Sequence, residues 1–93
     1  RLNMGHIEII HLRTSGESPA VLCQRIKESV RTEGEAAELL AVYRREGLET
    51  DVAIHIRRHG VRGKEGPSAL GLQLASALRS FGLVEHTVWE EMR

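Results

Sequence analysis

The sequence predicts an α+β fold of four strands and two helices in the order βαββαβ, with a four-stranded antiparallel sheet carrying both helices on one face. Three observations predict it. The β-branched run from Gly5 to Arg13 and the alternation of Val52, Ile54 and Ile56 with Ala53, His55 and Arg57 have the two-residue period of strands. Leu22, Ile26 and Val30 recur every four residues, and Leu70, Leu74, Ala77, Leu78 and Phe81 form a second helical stripe. Each helical segment stands between strand segments, so each crossover carries a helix of the same hand and both helices fall on one side.

The elements follow in order. The first strand holds Ile7, Ile9, Ile10 and Leu12 and stops at Thr14-Ser15-Gly16. Ser18 then supplies an N-cap and Pro19 the first helical position of a helix that ends near Gly34. Ala37 to Arg45 is the second strand, and the short turn Glu46-Gly47-Leu48-Glu49 joins it as a hairpin to the third, Thr50 to His59. The stretch His55-Ile56-Arg57-Arg58-His59 therefore lies on a strand, where residues four apart are separated by roughly 13 Å, and the two histidines do not chelate one metal ion by themselves. Gly60 to Pro67 is a loop. Ser68 opens the second helix, and Gly82 is expected to end it as a left-handed cap with Leu83 packing back. Val84 to Glu91 forms the fourth strand, with Val84, His86 and Val88 on one side and Glu85, Thr87 and Trp89 on the other.

Residues 1-93 make one domain, with Arg1-Leu2-Asn3 ahead of Met4 set aside as a tag or upstream extension. A domain this small buries only about 60 to 65% of the surface of its unfolded chain, so a partner copy is a ready source of further burial. Thirteen basic residues balance thirteen acidic ones, which removes the overall field that would attract nucleic acid or an anionic membrane, and neither is expected as a partner. The single cysteine, Cys23, excludes an intrachain disulfide framework and fits a reducing compartment; beside the helical stripe it reads as a small buried hydrophobe. With no apolar stretch of transmembrane length, the chain reads as soluble and cytoplasmic.

Placing Ile7, Ile9, Val52, Ile54, Ile56, Val84 and Val88 beneath the helices sends His6, Glu8, Ile10, Leu12, Ala53, His55, Arg57, Thr87 and Trp89 to the opposite face. That face is too apolar for water, and a second copy of the chain is the simplest cover, giving a homodimer. On it His55 and Arg57 stand about 6.6 Å apart, with His6 and Glu8 on a neighbouring strand. They are the candidate catalytic pair: a histidine to move a proton and an arginine to hold an anionic ligand group or an enolate-like charge. The competing reading is an interface ion pair in which Glu8 neutralises Arg57. His6, Glu8, Tyr43, His55, Arg57 and Trp89 are the candidate ligand-binding residues, the aromatics serving either to stack on a planar ligand or to pack. No metal site and no cofactor are expected. Gly63-Lys64-Glu65-Gly66-Pro67-Ser68 lacks the spacing of a phosphate-binding loop.

Gly5-His6-Ile7-Glu8-Ile9-Ile10 running into Thr14-Ser15-Gly16-Glu17, the hairpin from Leu40-Ala41-Val42-Tyr43-Arg44 to Thr50-Asp51-Val52-Ala53-Ile54-His55, and the final Thr87-Val88-Trp89 resemble, in layout, the ferredoxin-like dimeric α+β barrel proteins. Within them the chain is most similar to the antibiotic biosynthesis monooxygenase-type group. The resemblance implies sheet-to-sheet pairing around a cavity and a monooxygenase-like or isomerase-like enzyme acting on a small organic molecule without a conventional cofactor. The segment Ser68-Ala69-Leu70-Gly71-Leu72-Gln73-Leu74-Ala75 departs from the histidine-bearing segment of that group. Two other readings stay open, a non-enzymatic ligand-binding regulatory module of the amino-acid-sensing type, with its site at the Gly60 to Pro67 loop, and a purely structural dimer.

Overall fold

The computed structural model describes residues 5–14, 16, 18–31, 40–48, 50–58 and 66–92. The elements are β1 (His6–Thr14), α1 (Pro19–Arg31), β2 (Leu40–Arg44), β3 (Asp51–Arg58), α2 (Ala69–Leu78) with a 3-10 turn at Arg79–Phe81, and β4 (Gly82–Glu90). The four strands form one antiparallel sheet in the order β2-β3-β1-β4. Each helix-bearing connection passes over one strand: β3 lies between β1 and β2, and β1 lies between β3 and β4.

Strand pairing fixes which side chains share a face. Leu12 lies between Val52 and Val84, Ile10 between Ile54 and His86, and Glu8 between Ile56 and Val88. Ile10, Leu12, Val52, Ile54 and Ile56 join Leu22 and Ile26 of α1 and Leu70, Leu74, Ala75 and Leu78 of α2 in one buried core, so both helices cover this face. The expected faces of β3 and β4 hold, but that of β1 is reversed. Glu8, Ile10 and Leu12 lie beneath the helices with His6, while Ile7 and Ile9 lie on the uncovered face and are only partly buried. Both faces of β1 carry two aliphatics, so aliphatic count does not choose between them; Glu8 decides, because it has its partner on the helix side.

Ser18 caps α1, its Oγ accepting from the Val21 N–H at 3.2 Å. Leu22 and Ile26 enter the core as their spacing requires, whereas the side chain of Val30 and the expected helix end near Gly34 lie outside the described residues. Cys23 is a free, exposed thiol, and not the buried hydrophobe expected, because it falls just off the narrow stripe that α1 turns inward. At α2 the expected cap is present: the Ser68 Oγ accepts from the Gly71 N–H at 3.0 Å. The far end differs from expectation. The α-helix stops at Leu78, and Gly82, in an open conformation with φ 158, begins β4. Any Cβ at Gly82 would collide with the Arg13 carbonyl oxygen, so close approach to β1, and not a left-handed cap, requires the glycine. Leu83 consequently does not pack back on the helix but stands 76% exposed on the uncovered face.

Candidate functional site

The uncovered face is read rung by rung across β3, β1 and β4. Arg57, Ile7 and Trp89 form one rung; His55, Ile9 and Thr87 the next; Ala53, His11 and Glu85 the third; Asp51, Arg13 and Leu83 the last. Ala41 and Tyr43 of β2 continue the face beside His55 and Ala53. Apolar and polar groups are interleaved: Ile9, Ala53, Ala41 and Tyr43 stand among His11, His55, Thr87 and Glu85 in the middle, and Ile7, Trp89 and Leu83 stand with Arg57, Arg13 and Asp51 at the ends.

At the end beside the β2–β3 turn, Asp51 is a hub. Its backbone N–H donates to Leu48 at 3.1 Å and its carbonyl accepts from the Arg45 N–H at 3.0 Å, which fixes the residue at the mouth of the turn. Its carboxylate accepts from Arg13 Nε at 3.2 Å, from Arg45 Nη1 at 3.4 Å and from Thr50 Oγ1 at 3.4 Å, and it meets His11 Nε2 at 3.1 Å. The carboxylate is 1% exposed, while the side chains of His11, Arg13 and Arg45 that cover it are 39%, 57% and 61% exposed. Hydrogen bonding from Arg13 above all, with further help from His11 and Arg45, overcomes the desolvation that would raise the Asp51 pKa and lowers it from 3.8 to about 2. An ionised carboxylate only accepts, so His11 carries its proton on Nε2 when neutral and keeps the Nδ1 lone pair. The arrangement gathers an imidazole and two half-exposed guanidinium groups around one buried carboxylate.

A second carboxylate is buried on the other face. Glu8 is 0% exposed, and its two oxygens accept from the Ser68 N–H at 2.9 Å each and from the Ser68 hydroxyl at 2.6 and 2.9 Å. It thus sits at the N-terminus of α2, where backbone N–H groups and the helix dipole favour an anion. A Cβ on Gly71 would come within 2.5 Å of Glu8 Oε1, so glycine at this helical position opens the space the carboxylate fills. His86, with a side chain only 10% exposed, lies with Nε2 3.8 Å from Glu8 Oε2, beyond hydrogen-bond reach.

The residues singled out in the sequence are therefore divided. Tyr43, His55, Arg57 and Trp89 do share the uncovered face; the Tyr43 and His55 rings meet at 4.7 Å, and Trp89 Nε1 donates to Thr87 Oγ1 at 2.8 Å. His6 and Glu8 do not join them. They lie on the helix side, His6 with Nε2 3.8 Å from Glu90 and Glu8 beneath α2, so the expected Glu8–Arg57 neutralisation is replaced by a bond to Ser68. His55 lies on a strand as its period requires, while His59 and most of the Gly60 to Pro67 loop fall outside the described residues. The His11–Asp51–Arg13–Arg45 group was not singled out. Its signal in the sequence is the pair Arg45 and Asp51 flanking the hairpin turn, with His11 and Arg13 alternating on β1.

Among the described residues no three His, Cys, Asp or Glu side chains converge as metal ligands, and no helix is long and apolar enough to cross a membrane. Compared with protein-family models, with curated proteins and with solved structures, the chain matches none of them.

Proposed function

We propose that this chain works as a homodimer whose two sheets pair through their uncovered faces, a ferredoxin-like dimeric α+β barrel, and that the space between the sheets receives a small organic molecule. The observation that carries the reading is the composition of that face. Ile7, Ile9, Ala41, Tyr43, Ala53, Leu83 and Trp89 all lie on it, and Tyr43, Leu83 and Trp89 are 53%, 76% and 57% exposed. His11, Arg13, Asp51, His55, Arg57, Glu85 and Thr87 are interleaved with them, but a solvated sheet face is mostly polar, and large apolar side chains as exposed as Tyr43, Leu83 and Trp89 mark a contact surface.

Of the activities implied by the resemblance, the isomerase-like one has the better support. His11, oriented by Asp51, stands between Ala53 and Glu85 in the middle of the face, next to the rung of Ile9, with Nδ1 available to take and return a proton. His55 is a second proton carrier one rung away, Tyr43 continues the rung of His11 beyond Ala53, and Arg57 and Trp89 border the far end.

Sedimentation velocity at about ten micromolar protein tests the pairing, a dimer at that concentration corresponding to a dissociation free energy of roughly 7 kcal/mol or more. The wild type is expected to run as a dimer, and Trp89→Glu with Leu83→Glu as a folded monomer. A folded wild-type monomer at that concentration refutes the pairing.

A further inference from the structure

Resting on the reading that the uncovered face receives a small organic molecule, we propose that its ligand is an organic anion, an apolar or aromatic body bearing a carboxylate, sulfonate or phosphate, whose charged group is held by Arg13 and Arg45.

The donors decide the class. A guanidinium offers five N–H groups in a planar fork. Arg13 gives Asp51 only its Nε, and Arg45 gives it only Nη1, so each keeps donors on a side chain more than half exposed. Asp51 is already covered and can accept no incoming donor, so this end of the face presents hydrogen-bond donors outward. One carboxylate thus fixes two cations, which limits the side-chain freedom a ligand would otherwise have to remove on binding. Among the described residues the face carries Arg13, Arg45 and Arg57 with the carboxylates Asp51 and Glu85, and Glu91 continues it just beyond β4 beside Gly5, at the end away from Arg13 and Arg45, so the two guanidinium groups around the single Asp51 are a local feature of their end.

The body of the ligand follows from the rungs. From Arg13 to Ile7 is six residues of β1, roughly 20 Å at about 3.3 Å per residue. Between them on β1 lie His11 and Ile9, with Ala53, His55 and Tyr43 on one side and Glu85 and Thr87 on the other. A planar or aliphatic body of one or two rings lies over this centre with its acid at the Arg13–Arg45 end. The anion site is thus displaced by the length of the face from Arg57, where the sequence alone pointed.

Two fluorescent probes of similar shape separate charge from apolarity: 8-anilinonaphthalene-1-sulfonate and its neutral counterpart N-phenyl-1-naphthylamine. The wild type is expected to bind the sulfonate roughly tenfold more tightly than the amine, the equivalent of one charge-assisted hydrogen-bonded pair. Arg13→Gln and Arg45→Gln should each remove most of that preference while changing amine affinity less than about twofold. Arg44→Gln is the control. It removes the same charge from the same hairpin, but Arg44 pairs with Val52 and so belongs to the helix face, and its preference should match the wild type. Arg45 lies just beyond β2, so Arg45→Gln keeps the test decisive if Arg13→Gln does not fold. No preference in the wild type, or an equal loss in Arg44→Gln, overturns the anion site. Sedimentation of the same samples keeps the two proposals apart: a monomer that still loses its preference in Arg13→Gln and Arg45→Gln upholds the anion site and refutes the dimer.

Discussion

Two buried carboxylates stand on opposite faces of one sheet, and they are satisfied in different ways. Glu8 takes neutral donors, the Ser68 N–H and hydroxyl, from one residue 60 positions away. Asp51 meets the charged or chargeable side chains His11, Arg13 and Arg45, which keep much of their surface in solvent. The difference separates a structural lock from a presented site. Glu8 itself does the work of a helix cap, and the polar atom left over beside it is the buried His86 Nε2, 3.8 Å from Oε2 and without a hydrogen-bond partner among the described residues. In a capping box the helix supplies its own Glu or Gln three residues after the N-cap serine. Here that position is Gly71, and Glu8 of β1 enters the space it leaves, so the cap also docks α2 onto the sheet.

The largest expected effects test that lock. Glu8→Ala should lower stability by about 2 to 4 kcal/mol, through the lost bonds and the cavity. Gly71→Ala sets two terms against each other: helix propensity favours alanine by about 1 kcal/mol, but the added Cβ presses on Glu8, and overpacking typically costs about 1 to 3 kcal/mol. A net loss is expected in the wild type, turning into a gain of up to about 1 kcal/mol when Glu8 is already alanine. Urea unfolding of the four proteins checks the change of sign; additive effects would show that Gly71 is not there for Glu8.

The two serine caps sharpen the point. Ser18→Ala removes only the bond to the Val21 N–H and should cost about 0.5 to 1 kcal/mol, whereas Ser68→Ala also strips Glu8 of a donor and should cost about 1 to 3 kcal/mol. Equal costs would mean that Glu8 is satisfied without the Ser68 hydroxyl.

Asp51 is distinguished by pH. Its folded pKa is about 2 against an ordinary 3.8, so the unfolded chain takes up the proton first as pH falls. The stability Asp51 contributes is therefore whole above pH 3.8 and disappears between 3.8 and about 2. Asp51→Asn should be less stable at neutral pH and should lose stability less steeply than the wild type across that interval. Parallel slopes in chemical unfolding at several acidic pH values would contradict the Arg13 and His11 bonds.

Element type and order, the hairpin, both serine caps and the faces of β3 and β4 were legible because period and capping are local properties of the chain. The face of β1 was not. With Ile7 and Ile9 on one parity and Ile10 and Leu12 on the other, the choice falls to Glu8, whose burial looks unfavourable until Ser68 is brought to it from the far end of the chain. The role of Gly82 is hidden for a related reason: the glycine answers to the Arg13 carbonyl on another strand, a contact that no helix-end signal contains. The Asp51 group is likewise a product of β1–β3 register.

The smallest expected effect concerns Arg57, and it tests the face assignment on which the comparison of the two carboxylates depends. If Glu8 and Arg57 shared a face, Arg57→Met would strand a buried carboxylate and cost roughly 1 to 3 kcal/mol. Register instead sets Glu8 opposite Ile56 and Arg57 opposite Ile7, so the sheet itself separates the two. Arg57 is exposed, and methionine keeps an unbranched apolar stem at the position. Monomer stability, measured where protein concentration has no effect on it, should therefore change by less than about 0.5 kcal/mol. Removing a charge from a face proposed to pair with its copy should at the same time tighten self-association, because Arg57 would otherwise be desolvated between two sheets. A loss above about 1 kcal/mol in the monomer would show that Arg57 has a carboxylate partner, and would place β1 one residue out of register.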